Sequence, residues 1–290
     1  MSADLTRVPA PALVLGGIVS VQFGGAIAAQ LVPEIGAGGA VLLRVGIAAL
    51  VLMAVVRPRL AGYRGRDWAT VIAFGIALGC MNWTFYGSLA HLPLGVAVTV
   101  EFCGPLLLTT LLSRRPADFL AVVAAGLGVL LISQALDKPW SELSGVGLLL
   151  AAIAGGCWAA YILLSGRTGA AFPQLDGLAI ALVIATLVVA PAGLTSPHVW
   201  TTDHLLKGVL LAVLSSLLPY SFELMALRRI PAKVFGVLMS LEPAVAAFAG
   251  LVVLGQHLSP LQLLGMLLVV SASVIVMGLG RAPAVEPLDG

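Results

Sequence analysis

The sequence predicts an all-α integral membrane protein whose ten transmembrane helices form two inverted five-helix repeats. Three observations lead there: the overall hydropathy, the side on which the basic residues fall, and two segments that align without a gap. Sixty per cent of the 290 residues are hydrophobic and only 10% are charged, with a mean hydropathy of +1.09. A water-soluble domain of this length with that balance would aggregate. The apolar residues come in blocks of about 20, the length an α-helix needs to cross a hydrocarbon core of roughly 30 Å. Barrel strands alternate and leave a much weaker pattern, which excludes a β-barrel.

The blocks place spans near residues 11–32, 36–56, 68–90, 94–112, 118–136, 145–164, 175–194, 204–226, 233–254 and 259–280. Arg7, the apolar run after it and the triplet Ala26-Ile27-Ala28 have the look of a cleavable leader. The block stays apolar to Val32, however, and its removal would leave nine spans. Cys80, Cys103 and Cys157 fall inside spans with no CxxC spacing, so they read as small buried apolar residues and not as a disulfide or metal framework.

The basic residues alternate. Arg7, Arg57, Arg59, Arg64, Arg66, Arg114, Arg115, Arg167, Arg228, Arg229, Lys233 and Arg281 fall on one side, Lys138 and Lys207 on the other, and Arg44 lies within a span. The positive-inside rule then makes both termini cytoplasmic, and the parity supports an even number of spans. The net charge of +2 is an orientation feature, because the basic residues are dispersed among short loops and form no nucleic-acid-binding face.

HLPLGVAVTVEFCGPLL from His91 and RIPAKVFGVLMSLEPAV from Arg229 align so that Pro93 and Pro105 meet Pro231 and Pro243. The offset of 138 residues lays span 3 on span 8 and span 4 on span 9. Residues 1–137 and 138–290 are therefore read as two five-helix repeats. An odd number of helices inverts the second copy, and the charges agree: the loop at Pro93 has no Lys or Arg, whereas that at Pro231 carries Arg228, Arg229 and Lys233. Inverted repeats let two halves exchange conformations and open a central site to one face and then the other, as in secondary transporters.

VQFGGAIAAQLVPEIGAGGAVLLR, MNWTFYGSLAHLPLGVAVTVEFCGPL, SRRPADF, PYSFELMALRRIP and FGVLMSLEPAVAAFAGLVVLG resemble the EamA-type transporters of the drug/metabolite transporter superfamily, and within it the threonine/homoserine exporters. The resemblance covers nearly the whole chain. It implies ten helices, a central cavity, location in the bacterial inner membrane, and export of small amino acids by proton antiport. One departure is visible: the family commonly has Gly-Glu after span 9, where this chain has Gly255-Gln256 followed by His257.

An ionised side chain within a span is costly unless paired or wet, so each such group is a functional candidate. Glu101 in span 4 and Arg44 in span 2 lie at similar depth, roughly 10 Å from the outer surface at 1.5 Å per residue, and suggest an ion pair with either a structural or a binding role. Gly104 and Pro105 follow Glu101. The proline lacks an N–H and frees the Glu101 carbonyl, which is then expected to take a ligand or water. Glu242 lies close to the midplane, directly before Pro243. Glu223 sits near the inner end of span 8 and reads as a snorkelling partner of Arg228 and Arg229.

On span 3 the stripe Gly75, Gly79, Asn82 and Tyr86 is expected to open space and line it with polar groups. Asn82 maps onto Tyr220, which shares a face with Ser216 and Glu223. Gln22 supplies an amide deep in span 1, while Trp158 and Tyr161 in span 6 read first as packing aromatics.

An amino acid needs an anion for its ammonium and a donor for its carboxylate, which Glu101 and Arg44 supply, with Asn82 or Tyr86 for a side-chain hydroxyl. Glu101 would hold either a proton or the ammonium, and that exclusion would couple proton entry to substrate exit. Protons, a small amino acid or metabolite and the lipid bilayer are thus the expected partners of a monomer or homodimer, with no cofactor, metal or nucleic acid.

An enzyme would need a nucleophile or metal set at depth. All four histidines, His91, His198, His204 and His257, fall in expected outer loops or span ends, and no HExxH motif occurs. A channel would need a continuous polar lining, and the sparse polar groups suit one occluded site better. A broader metabolite or drug exporter of the same fold is the alternative.

Overall fold

A computed structural model describes residues 8–89, 91, 100–105, 107–108, 111, 116–133, 144–195, 201–254 and 259–279. The pairing of Gln256 with the family's glutamate, His257, His198, Pro93 and the C-terminal tail lie outside these residues. The described chain folds into helices α1 (Ala10–Val56), α2 (Gly65–Leu89), α3 (Pro116–Ser133), α4 (Gly145–Ala171) and α5 (Asp176–Leu194). They are followed by α6 (Thr202–Ala212), a π-helical turn (Val213–Leu217), α7 (Leu218–Leu227), α8 (Ala232–Met239), α9 (Glu242–Leu254) and α10 (Pro260–Leu279). Residues 100–105 of the fourth expected span are also helical.

Among the described residues, five helical stretches are long and apolar enough to cross a membrane: Glu34–Val56, Gly65–Ser88, Gly145–Ala171, Asp176–Leu194 and Thr202–Leu227. Ala10–Gly25, Phe119–Gly128 and Leu263–Ala272 are shorter apolar helices. Polarity is arranged inside out for a soluble protein: Leu50, Val55, Leu111 and Leu194 are exposed while Arg44, Asn82, Glu101, Ser216 and Glu223 are buried. Lipid accepts the outer leucines at no cost, and the interior polar groups must find partners within the protein. The cysteines depart from expectation, since Cys103 is on the exterior and Cys80 and Cys157 are half-buried. A thiol is apolar enough to face lipid.

Helix α1 joins the first two expected spans across Gly36, whose φ of 78° and ψ of 159° are not helical. A straight helix would separate Ser20 from Arg44 by about 36 Å at 1.5 Å per residue. Instead Ser20 bonds Leu214 and Arg44 bonds Ser216, so the chain folds back at Gly36. Helix α2 packs on α4 and α5, α1 packs on α5, α6 and α7, and α3 pairs with α10. Gly75 and Gly79 do not open space as the stripe suggested. A Cβ on either would collide with α5, at Ile184 and Ala181 or at Val188 and Ala185, so these glycines let two helices approach closely.

Two interruptions fall at prolines. Pro219 cannot donate to the carbonyl four residues back, and the chain before it shifts to π register, with the Leu218 N–H reaching the Val213 carbonyl. That shift frees the Leu214 carbonyl, and the Ser20 hydroxyl donates to it at 2.7 Å. The ninth expected span breaks at Ser240 and Leu241, so that Glu242 becomes the first residue of α9 just ahead of Pro243. Glu242 thus lies in the first turn of that helix, where the helix dipole favours a carboxylate.

Gly36→Ala should lower the stability of the detergent-purified protein by about 1–3 kcal/mol, because its φ/ψ region is essentially open to glycine alone. A melting temperature unchanged from wild type would show that the fold-back does not depend on this residue.

Candidate functional site

The interior polar groups converge on Arg44. Its Nε donates to Ser216 Oγ at 3.1 Å, Nη1 to the Tyr86 hydroxyl at 3.2 Å, and Nη2 to the Tyr220 hydroxyl at 2.7 Å and to Asn82 Oδ1. The Asn82 amide in turn donates to the Leu78 carbonyl at 2.8 Å and to Tyr220 at 3.1 Å. The guanidinium carbon lies 5.8 Å from the Tyr86 ring centre and 5.9 Å from that of Tyr220. Four of the five N–H donors of an arginine are thus engaged, all by neutral oxygens. Among the described residues no carboxylate reaches ion-pair distance of Arg44, so the expected pair with Glu101 is not formed.

Glu101 is nonetheless buried, and among the described residues its carboxylate has no hydrogen-bond or ion-pair partner. It stands within electrostatic range of both Arg44 and Glu242. The Glu101 carbonyl that Pro105 was expected to free for a ligand is covered instead. A Cβ on Gly155 would run into that oxygen, and one on Gly104 would run into the Gly155 carbonyl. Backbone meets backbone here and fixes Glu101 against α4. Phe102 packs edge-on against Trp158, with ring centres 5.4 Å apart, so Trp158 packs as an aromatic in that span was expected to.

Tyr161 and Glu223 correct the sequence reading. Glu223 is buried rather than snorkelling, and Tyr161 donates a hydrogen bond to its Oε2. Arg228 turns the other way and donates to the Phe172 carbonyl. Tyr161 also stacks obliquely near Tyr220, 5.9 Å between ring centres, which carries the polar cluster from Arg44 to Glu223. Gln22 donates to Glu242 Oε1 at 3.2 Å. The structure therefore joins Arg44 with Asn82, Tyr86 and Tyr220, sets Tyr161 beside Tyr220 and ties Glu242 to Gln22, with Glu101 and Trp158 at the crossing of α4. Ser216, which the sequence places on the face of Tyr220, is tied to Arg44 as well, a bond that follows from the π turn that Pro219 imposes.

A small cavity of about 140 Å³ lies beside the cluster, lined by Gly38, Val41, Trp83, Tyr86 and Val189 among others. Tyr86 thus links Arg44 to this space. At the other end, a groove of about 630 Å³ is lined by Gly166, Gly169, Phe172, Leu227 and Arg228. There Asp176 accepts from the Arg59 N–H at 3.3 Å and the Tyr63 hydroxyl at 3.4 Å. Burial and the Asp176 charge push the Tyr63 phenol above its usual range. Toward the opposite face Glu34 is bound by Lys207 at 3.1 Å and by His204 at 3.2 Å. Chemically, the site offers a dehydrated cation for an anion and, close by, a carboxylate for a proton or a cation. Among the described residues no group of three or more His, Cys, Asp or Glu is placed to hold a metal.

Asn82→Ala removes a partner of the buried guanidinium and should cost about 1–3 kcal/mol of stability. Tyr86→Phe should cost less, since Tyr86 is only half-buried and water can replace the hydroxyl. Equal losses in melts of the two variants would show that the Tyr86 bond is as dehydrated as the Asn82 bond.

Comparison with known proteins bears on what such a site serves. Residues 145–278 match the EamA-like transporter family. The threonine/homoserine exporter RhtA of Salmonella typhimurium strain SL1344 is 38% identical over 274 residues, which cover 93% of this chain and 92% of that protein. Its namesake in Escherichia coli strain K12 is 39% identical over 265 residues, with coverages of 90% and 89%. Protein PecM of Dickeya dadantii strain 3937 is 28% identical over 236 residues, covering 77% and 78%. One crystal structure superposes with a TM-score of 0.74 over 93% of this chain and 99% of its own at 20% identity, which shows a shared fold and no more. The chain is a multi-pass membrane protein that belongs to the EamA-like transporter family, a family of transporters and not of enzymes.

Proposed function

We propose that this protein is a secondary active exporter of small amino acids of the threonine/homoserine type, working by proton antiport and alternating access. It does so in a bacterial inner membrane with both termini cytoplasmic. The observation that carries the reading is the pairing of a buried Arg44 held only by neutral oxygens with a nearby buried Glu101 that has no partner among the described residues. A zwitterion is the solute whose two charges answer both. Its carboxylate takes the remaining guanidinium donor, and its ammonium takes Glu101. The names of the relatives at 38% and 39% identity favour threonine and homoserine over other amino acids.

Alternating access needs two halves that can exchange roles, and ten helices in two inverted repeats, residues 1–137 and 138–290, supply them. Two features favour that arrangement. Asn82 and Tyr220 are separated by the repeat offset of 138 residues and bond each other at 3.1 Å. Positions related by a two-fold axis can touch only close to that axis, which would then run beside Arg44. Two packing pairs also follow the offset: α3 lies on α10, and the second half of α1 lies beside α5, with Gly38 against Ala192 and Leu42 against Gly193.

Coupling follows from competition. Glu101 holds either a proton or the substrate ammonium, and the empty, unprotonated carrier beside Arg44 is the state least able to change face. Glu242, tied to Gln22 at a helix start, keeps a different environment and a different job.

In reconstituted vesicles, Glu101→Gln should reduce pH-gradient-driven threonine transport at least tenfold while the protein still elutes as a folded species. Undiminished coupling would reject the assignment and move it to Glu242. A tolerance panel of threonine, homoserine, other amino acids and cationic drugs tests the substrate class; protection against drugs but not against threonine or homoserine would favour the broader exporter.

A further inference from the structure

Ser165 and Thr168 are wholly buried on α4, and neither hydroxyl has a hydrogen-bond partner among the described residues. Serine and threonine in helices ordinarily find one, and each unpaired hydroxyl in an apolar interior costs on the order of 1–3 kcal/mol. Their position gives that cost a purpose. Tyr161, Ser165 and Gly169 are spaced by four and form one row on α4. At one end of the row Tyr161 bonds Glu223. At the other, a Cβ on Gly169 would meet Arg228 and Leu224, and Gly169 and Arg228 both line the 630 Å³ groove. Ser165 therefore lies between the buried carboxylate and the groove, with Thr168 one turn nearer the groove and its methyl against Gly177.

We propose that Ser165 and Thr168 hold a short file of water that carries protons between Glu223 and the cytoplasmic groove at Arg228. The proposal rests on the proton-antiport reading and adds to it the inner exit for the proton. Buried water is stable where a site is polar and roomy and each molecule finds two to four partners; the two hydroxyls and Glu223 supply partners, and Gly166, where a Cβ would meet only the Leu227 carbonyl at 3.8 Å, leaves room toward the groove it lines. Tyr161 occupies Oε2 of Glu223, which leaves Oε1 for exchange. In the inward step the carboxyl O–H of Glu223 breaks, and its proton passes to the water at Ser165. A proton leaves that file at Thr168 into groove water, and Glu223 remains as carboxylate.

The charges facing Glu223 suit a relay. Arg44 from α1, Glu242 from α9 and Tyr220 on its own helix all sense its charge, as Tyr161 does from α4. Glu101 and Glu242 likewise sense each other's charge, as Glu242 and Glu223 do. Helix α5 contributes Asp176 at groove level, beside Arg228. Neither hydroxyl belongs to the cluster around Arg44, so their loss should spare substrate exchange.

The test compares wild type, the Ser165→Ala/Thr168→Val double variant and Thr168→Ser in vesicles, using radiolabelled L-threonine and an entrapped pH-sensitive dye. Two assays are run: threonine counterflow, which needs no net proton movement, and pH-gradient-driven accumulation. The double variant should keep counterflow within about twofold and lose at least fivefold of the gradient-driven accumulation and dye response, with Thr168→Ser like wild type. If wild type is coupled and the double variant keeps that coupling, the file is wrong and the antiport reading stands. If the double variant loses counterflow as well, the hydroxyls serve packing and the proposal fails. A wild type without counterflow or without a pH response would reject the proposed function and this inference together.

Discussion

An arginine buried among neutral oxygens is expensive, and the rest of this structure is arranged around that expense. Removing a guanidinium from water costs several kcal/mol unless its hydrogen bonds are remade. Arg44 remakes four of them, with Ser216, Tyr86, Asn82 and Tyr220, yet none of these partners carries an opposite charge. The cluster satisfies geometry without satisfying charge. A carboxylate in place of Asn82 would have neutralised the cation and closed the site to an outside anion. The amide keeps it available, and in the proposed exporter that availability is what the substrate uses.

Holding four partners on one guanidinium demands helices that are interrupted in the right places. The fold-back at Gly36 brings both halves of α1 against one short segment of the chain. The π turn ahead of Pro219 brings Ser216 to Arg44 and hands the Leu214 carbonyl to Ser20. The break at Ser240 and Leu241 places Glu242 at a helix start, and glycine contact between Gly104 and Gly155 brings Glu101 to α4. Each interruption costs a backbone bond and returns a side chain to the centre. Such irregular backbone is tolerated in a membrane only where protein or water covers it.

Much of this was legible in the sequence because hydropathy and charge act locally. The apolar blocks appear as helices where the chain is described, apart from the break at Ser240 and Leu241, and Arg44 gathers Asn82, Tyr86 and Tyr220 around it. Partnerships were less legible. Depth along a span says how far a side chain lies from the surface but not which way it points. Arg44 and Glu101 share a depth without sharing a bond, and Glu223 was assigned to nearby arginines although its face turns to Tyr161. Gly75 and Gly79 read as space when they are contact, since a missing side chain looks the same in a sequence whether a void or a neighbouring helix fills it. The π turn left one sign, Pro219, whose consequence for Ser216 needs the three-dimensional path of the chain.

If Arg44 binds the carboxylate of an amino acid, equilibrium binding to the purified protein will register that charge. L-threonine competes against radiolabelled L-threonine, and so does L-threoninamide, which keeps the ammonium and the hydroxyl and lacks the negative charge. A charge-assisted bond of about 1.5–3 kcal/mol predicts that the amide binds roughly 10- to 100-fold more weakly. Equal competition by the two would place the carboxylate away from Arg44.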